Sequence, residues 1–204
     1  MYLRELVERY EGVPVQNLSE EVKVLEMTRA FDAFVDFLRD QRTFPNKPIN
    51  KLVTLMWKLV GNKRIPVVLD QWGFPSVCFA VLGNEKRPKP LIIIPQDFLQ
   101  QVRESPESQI GIIAYMASQC RDAYANKITG KNSQEVNRRA QAYEAETFLT
   151  LKEMAAKEGI TLRLIPFQEK ILERFPHGLR DLPQELKYRT PPYPPNHKVG
   201  FKWN

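Results

Sequence analysis

Histidine and cysteine are nearly absent from this chain, two of each in 204 residues, and none of the four stands in a short paired motif. Structural and catalytic zinc sites draw on clustered thiolates and imidazoles at close spacing. No such cluster is written here, and no cofactor is expected. His177 and His197 fall in loop-like sequence of the C-terminal quarter. Cys78 and Cys120 each sit inside an apolar stretch and read as buried free thiols, which suits a reducing compartment. Long apolar runs are missing too. PLIIIP and VCFAVL are far shorter than the roughly 18 residues that cross a bilayer, and Met1 leads into the charged LRELVERY rather than an apolar leader. The expectation is a soluble protein with no membrane partner, cytoplasmic or held within a virus particle. Other chemical signatures are equally lacking. Gly130-Lys131 has neither the upstream glycine nor the following Ser or Thr of a phosphate loop. There is no GxSxG elbow, and Cys120 has no histidine near it in sequence to activate it.

What is present fits an ordinary globular protein: 43% hydrophobic and 26% charged residues, enough to bury a core without disulfides or metal. The net charge is +6, but Lys187, Arg189, Lys198 and Lys202 carry +4 of it in a tail with no acid, which leaves the preceding residues at +2. A near-neutral body with a basic tail is not a domain with a basic binding face.

The pattern predicts an α+β fold. A short helix over 3–10 stops at Gly12 and Pro14. A second starts after Ser19, with Glu20 and Glu21 in its first turn, and carries Val22, Leu25, Phe31, Phe34, Val35 and Leu38 at helical spacing to about Gln41. Pro48 opens a third helix with a broad apolar face: Ile49, Leu52, Val53, Met56, Leu59 and Val60. RIPVVLD and SVCFAVL then flank QWGFP and read as a hairpin. PLIIIP reads as a third strand, bounded by proline at each end, and ITLRLI at 160–165 as a fourth. Between the last two lie long helices, one starting at Ser105-Pro106-Glu107 and one over about 134–157, where Gly159 stops it. A short helix covers 167–174. The expected architecture is one globular domain, 1–186, with a small three- to four-stranded antiparallel or mixed sheet packed against helices, and an extended Pro-rich tail, 187–204.

The run from PLIIIP through SPESQIGIIAYMASQCRDAY to NRRAQAYEAETFL resembles a minimal zincin-type metallopeptidase, over roughly residues 64–157. That family carries HExxH on one helix, whose two histidines bind zinc and whose glutamate activates water, and takes a third ligand from an acidic stretch on the next helix. Glu144-Ala145-Glu146 matches that stretch in type. Two registers fit the first helix: Tyr115, Met116 and Gln119, or Ser118, Gln119 and Asp122. Both lack the imidazoles, so the resemblance implies a relative without metal. The segment RIPVVLDQWGFPSVCFAVL is also similar to the central hairpin of toxin-activating lysine acyltransferases. That family uses a histidine upstream, where this chain offers Asn46 and Asn50. Glu144 and Glu146 do not make a carboxylate pair, because residues two apart on a helix face different ways.

The tail LKYRTPPYPPNHKVGFKWN places two Pro-Pro pairs around Tyr193 and four aromatics among its bases. Such a segment favours extended polyproline geometry and builds no core of its own. It reads as a docking strap, with Tyr188, Pro191, Pro192, Tyr193, Pro194, Pro195, Phe201 and Trp203 as the partner-binding residues. The functional expectation is a non-enzymatic structural or assembly component of a larger complex, with protein subunits as partners and a phage or similar particle as one setting. The competing readings are a nucleic-acid-binding accessory protein using the same basic, aromatic tail, and an enzyme whose site forms only by tertiary contact.

Overall fold

A computed structural model of the chain describes residues 20–70, 73–74, 76–82, 89–124, 133–162 and 164–187. The helix over 3–10 and the partner-binding residues assigned to the tail, Tyr188 to Trp203, lie outside them. Helix α1 spans Glu20–Asp40, and a 3-10 turn, Gln41–Thr43, follows it. Its buried stripe is Ala30, Phe34, Phe37 and Leu38, continued by Gln41. Phe31, grouped with that face on spacing alone, is instead 39% exposed. Being one position on from Ala30 turns it about 100° away from the core.

Helix α2, Lys47–Gly61, starts where the Asn46 side chain accepts the Ile49 N–H at 3.3 Å, with proline in its first turn. All six apolar residues expected on its inner face are buried. Asn50 donates to the backbone carbonyls of Arg42 and Phe44 and so ties down the incoming turn.

Three strands make one mixed sheet: β1, Val67–Leu69; β2, Cys78–Leu82; and β3, Lys89–Ile94, in the order β1-β3-β2. β1 pairs with β3 in parallel, Val67 opposite Ile92 and Leu69 opposite Ile94. β2 pairs with β3 antiparallel, Cys78 opposite Ile93 and Leu82 opposite Lys89. The expected hairpin between β1 and β2 is therefore not formed, because β3 lies between them. Two physical reasons favour this order. Leu91 to Ile94 are all buried, so the most apolar strand takes the one position with neighbours on both edges. Asp70 also bends the chain away after β1, its N–H bonded to Ile94 O at 2.8 Å and its carboxylate accepting the Phe74 N–H.

A short helix not foreseen from the pattern, α3 (Phe98–Glu104), seals the end of the sheet with Phe98 and Val102. Phe98 meets Phe34 and Phe37 edge to face at 5.5 and 6.1 Å. Helices α4, Pro106–Tyr124, and α5, Ser133–Glu158, form the most extensive helix pair. They meet closely because Gly111 has no side chain: a Cβ there would sit 2.2 Å from Phe148 Cζ. Gly159, at φ +67°, ends α5 in the left-handed conformation.

The expected fourth strand does not form. Residues 160–162 and 164–165 have no strand pairing; Ile160 N–H instead bonds back to Ala155 O at 2.9 Å, and Pro166 begins helix α6, Pro166–Arg174. The run is held between the end of α5 and Pro166, and its alternation serves to pack Ile160, Leu162 and Leu164 against the core. A 3-10 turn, Gly178–Asp181, and a last short helix, α7 (Gln184–Lys187), complete the described chain.

Candidate functional site

One cavity of about 450 Å³ opens between β2, α4, α5 and the start of α6. Ser76, Val77, Cys78 and Phe79 line it consecutively. Ser76 and Val77 lead into β2 and Cys78 and Phe79 begin it, so this wall is the segment that enters the strand. Among the described residues β2 pairs with β3 alone, which leaves its other edge free. From α4 come Ile112, Tyr115, Met116 and Gln119, at i, i+3, i+4 and i+7, a single helix face. From α5 come Asn137, Gln141 and Glu144, again at i, i+4 and i+7. Phe167, 59% exposed, stands at the rim.

The polar groups on these walls are held by neighbours. Gln119 Nε2 donates to Tyr115 Oη at 3.2 Å, and that hydroxyl donates to Asn137 Oδ1 on the facing helix. Gln141 Oε1 accepts from Arg174 Nη1 at 3.1 Å, which ties α6 to α5. Gln168, almost fully buried, accepts the Ile165 N–H at 3.1 Å and the Ser108 hydroxyl at 3.3 Å, so the first turn of α6, with Phe167, is fixed against α4.

Glu144 is the exception. It is 3% exposed, and no hydrogen bond or ion pair reaches it among the described residues. Burial alone raises its pKa to about 8, so its carboxyl is largely protonated at neutral pH. Tyr115 is raised as well, first by burial and then by the charge of Glu144, against the lowering effect of the Gln119 bond. Cys78 is half-buried on the cavity wall, its thiol pushed up by burial and by Asp70. Cys120 is sealed in the core, and its pKa is raised by burial. Neither is an activated thiolate.

The geometry separates the two registers. Tyr115, Met116 and Gln119 reach the same cavity as Glu144. Ser118 and Asp122 are buried away from it, and Asp122 pairs with Arg139 at 2.9 Å. Glu146 points elsewhere, accepting from Asn46 Nδ2 at 2.9 Å and from Leu179 N–H at 3.1 Å, which divides it from Glu144 as helical spacing requires. Asn46 and Asn50, at the positions taken from the acyltransferase likeness, cap and brace α2, and the hairpin on which that likeness rests is not formed.

A phenol, a thioether, a carboxamide and one carboxylate are a poor donor set for zinc. Among the described residues no group of three or more His, Cys, Asp or Glu side chains is placed to hold a metal ion. Asn137, Gln141, Phe79 and Phe167 were not singled out from sequence, and Cys78, expected to be a buried thiol, is instead only partly buried on the cavity wall. The readable signal for the first two is the polar stripe Asn137, Gln141, Glu144 at helical spacing on an otherwise alanine-rich helix. No helix among the described residues is long and apolar enough to cross a membrane. No family model, no curated protein and no solved structure matches this chain.

Proposed function

We propose that this chain is a non-enzymatic structural or assembly component of a larger complex, a metal-free relative of zincin-type domains that joins its partner subunits through the C-terminal segment. One observation carries the reading. The cavity gathers Tyr115, Met116, Gln119 and Glu144 at the places where the resemblance requires metal ligands and a water-activating acid. Gln119 is bonded to Tyr115 and Tyr115 to Asn137, not arranged to polarise a substrate. A cytoplasmic or particle-bound setting belongs to the same proposal.

Ordering the segment after Leu186 costs roughly 1–2 kcal/mol per residue. Several buried aromatics, each contributing about 1.5–3 kcal/mol, are needed to hold it, and proline lowers the cost because it is already restricted when free. Tyr193, Phe201 and Trp203 are the proposed anchors. The test is truncation after Leu186, followed by native mass and thermal melting beside the full chain, with whatever co-purifies. The expected result is a folded body that no longer enters the high-mass species. Unchanged assembly with a lowered melting temperature would place the strap on its own body, and no change in either would end the strap reading. A nucleic-acid affinity that falls steeply with salt and vanishes on truncation would favour the accessory-protein reading instead.

A further inference from the structure

We infer that the cavity between β2, α4 and α5 binds a small organic cation, an ammonium group carried on an apolar body, with the Glu144 carboxylate as its counter-ion. The inference is independent of the assembly role and rests on the cavity alone. Its volume of about 450 Å³ falls within the usual range of small-ligand sites.

Among the polar side chains that line the cavity, Glu144 is the buried one, and it has no hydrogen-bond or ion-pair partner among the described residues. Leaving a carboxyl so placed is costly, whereas removing it by an apolar substitution is not. A carboxyl kept under those conditions has the chemistry of a site awaiting a cation. The donor set argues against a metal ion, since among the described residues no group of three or more His, Cys, Asp or Glu side chains is placed to hold one. It suits an ammonium, which needs two or three directed acceptors rather than a closed coordination shell. Glu144 supplies two oxygens. Gln119 supplies another, because its amide nitrogen is spent on Tyr115 and its carbonyl oxygen is left without a donor among the described residues.

Val77, Phe79, Ile112 and Met116 supply the apolar part of the walls, with Phe167 at the mouth. They would pack the body of the ligand, and the aromatic ring at the rim adds a face that attracts cations. Arg174, the cation bonded to the cavity-lining Gln141 Oε1, makes no ion pair with Glu144. Tyr115 from α4 and Cys78 from β2 are the other titratable groups on the walls, and raised pKa values keep both neutral near physiological pH.

The experiment is calorimetric titration of the full chain, near pH 8, with 4-phenylbutylamine and with its neutral isostere 4-phenylbutanol. The amine is expected to bind at least roughly tenfold more tightly than the alcohol. Glu144→Gln, isosteric and checked for folding by circular dichroism, is expected to reduce the amine to the level of the alcohol. Alkylation of Cys78 by N-ethylmaleimide locates the site, because a ligand in the cavity covers that thiol. Slowing of Cys78 modification by the amine, but not by the alcohol at equal concentration, is the expected result. Equal affinity for the two compounds, no binding of the amine at millimolar concentration, a preference retained in Glu144→Gln, or an unprotected Cys78 would each overturn the assignment. Because the isostere comparison and the Cys78 protection use the unaltered chain, the inference stays testable even if the variant does not fold.

Discussion

At the scale of single residues, Glu144 sets the electrostatics of the cavity. Its folded pKa, about 8, lies above the ordinary glutamate value near 4.3. Between those values the folded protein holds a proton that the unfolded chain has released. Stability therefore falls as pH rises through that window, at no more than about 1.4 kcal/mol per pH unit. The expected outcome is a melting temperature that declines from pH 5 to pH 8, with the decline flattened in Glu144→Gln. Thermal melts of the two proteins across that range check it; parallel curves would mean the carboxyl is solvated or paired after all. Metal content also belongs here. The side chains facing Glu144 are a phenol, a thioether and carboxamides, so elemental analysis of purified protein is expected to find no stoichiometric zinc. About one zinc per chain, lost on replacing Asp122 or Glu144, would defeat that expectation.

At the scale of elements, the contact between α4 and α5 determines whether the cavity exists at all. Gly111 allows the close approach, with the Phe148 ring where a Cβ would be, and the buried Asp122–Arg139 pair holds the other end of the same two helices at 2.9 Å. Arg139 also donates to Leu186 O at 3.3 Å, so this ion pair anchors the described C-terminal end as well. Gly111→Ala must push the helices apart or force Phe148 off its rotamer, at a cost of about 1–3 kcal/mol. Urea unfolding is expected to show that loss as a lower midpoint with an unchanged slope. A midpoint equal to that of the unaltered chain would show that the helices can slide without penalty. Because Gly111 lies one residue before the cavity-lining Ile112, the same substitution is also expected to weaken binding of the amine probe.

At the scale of the whole molecule, one cluster of buried side chains runs from Ala30 on α1 to Leu182 beyond the last 3-10 turn, drawing on the sheet and every long helix. Among the described residues no element carries a separate core cluster. Unfolding is therefore expected in one cooperative step, with tryptophan fluorescence and far-ultraviolet circular dichroism giving the same urea midpoint. Trp57 reports directly on α2, where the Arg42 guanidinium covers its ring at 4.2 Å. Separated midpoints would divide the molecule into parts and end the single-core description.

Local periodicity was enough for the long helices. The stripe of α2 from Ile49 to Val60, the start of α4 at Pro106 and the stop of α5 at Gly159 were all legible, because each depends on residues within one or two turns of one another. The apolar run of β3 was equally plain. What the text of the chain could not decide was pairing. A strand records which of its faces are apolar but not which strand lies beside it, and so β3 came between β1 and β2 where a hairpin was expected. The same limit applies to 160–165, where alternation was present but the backbone closes α5 instead of joining the sheet. The cavity is the clearest case. Sequence left two registers open on α4, since both put their residues on one helix face. Only the rotation of α4 against α5, set by the absence of a side chain at Gly111 and the bulk of Phe148, turned Tyr115, Met116 and Gln119 toward Glu144 and sent Asp122 to Arg139.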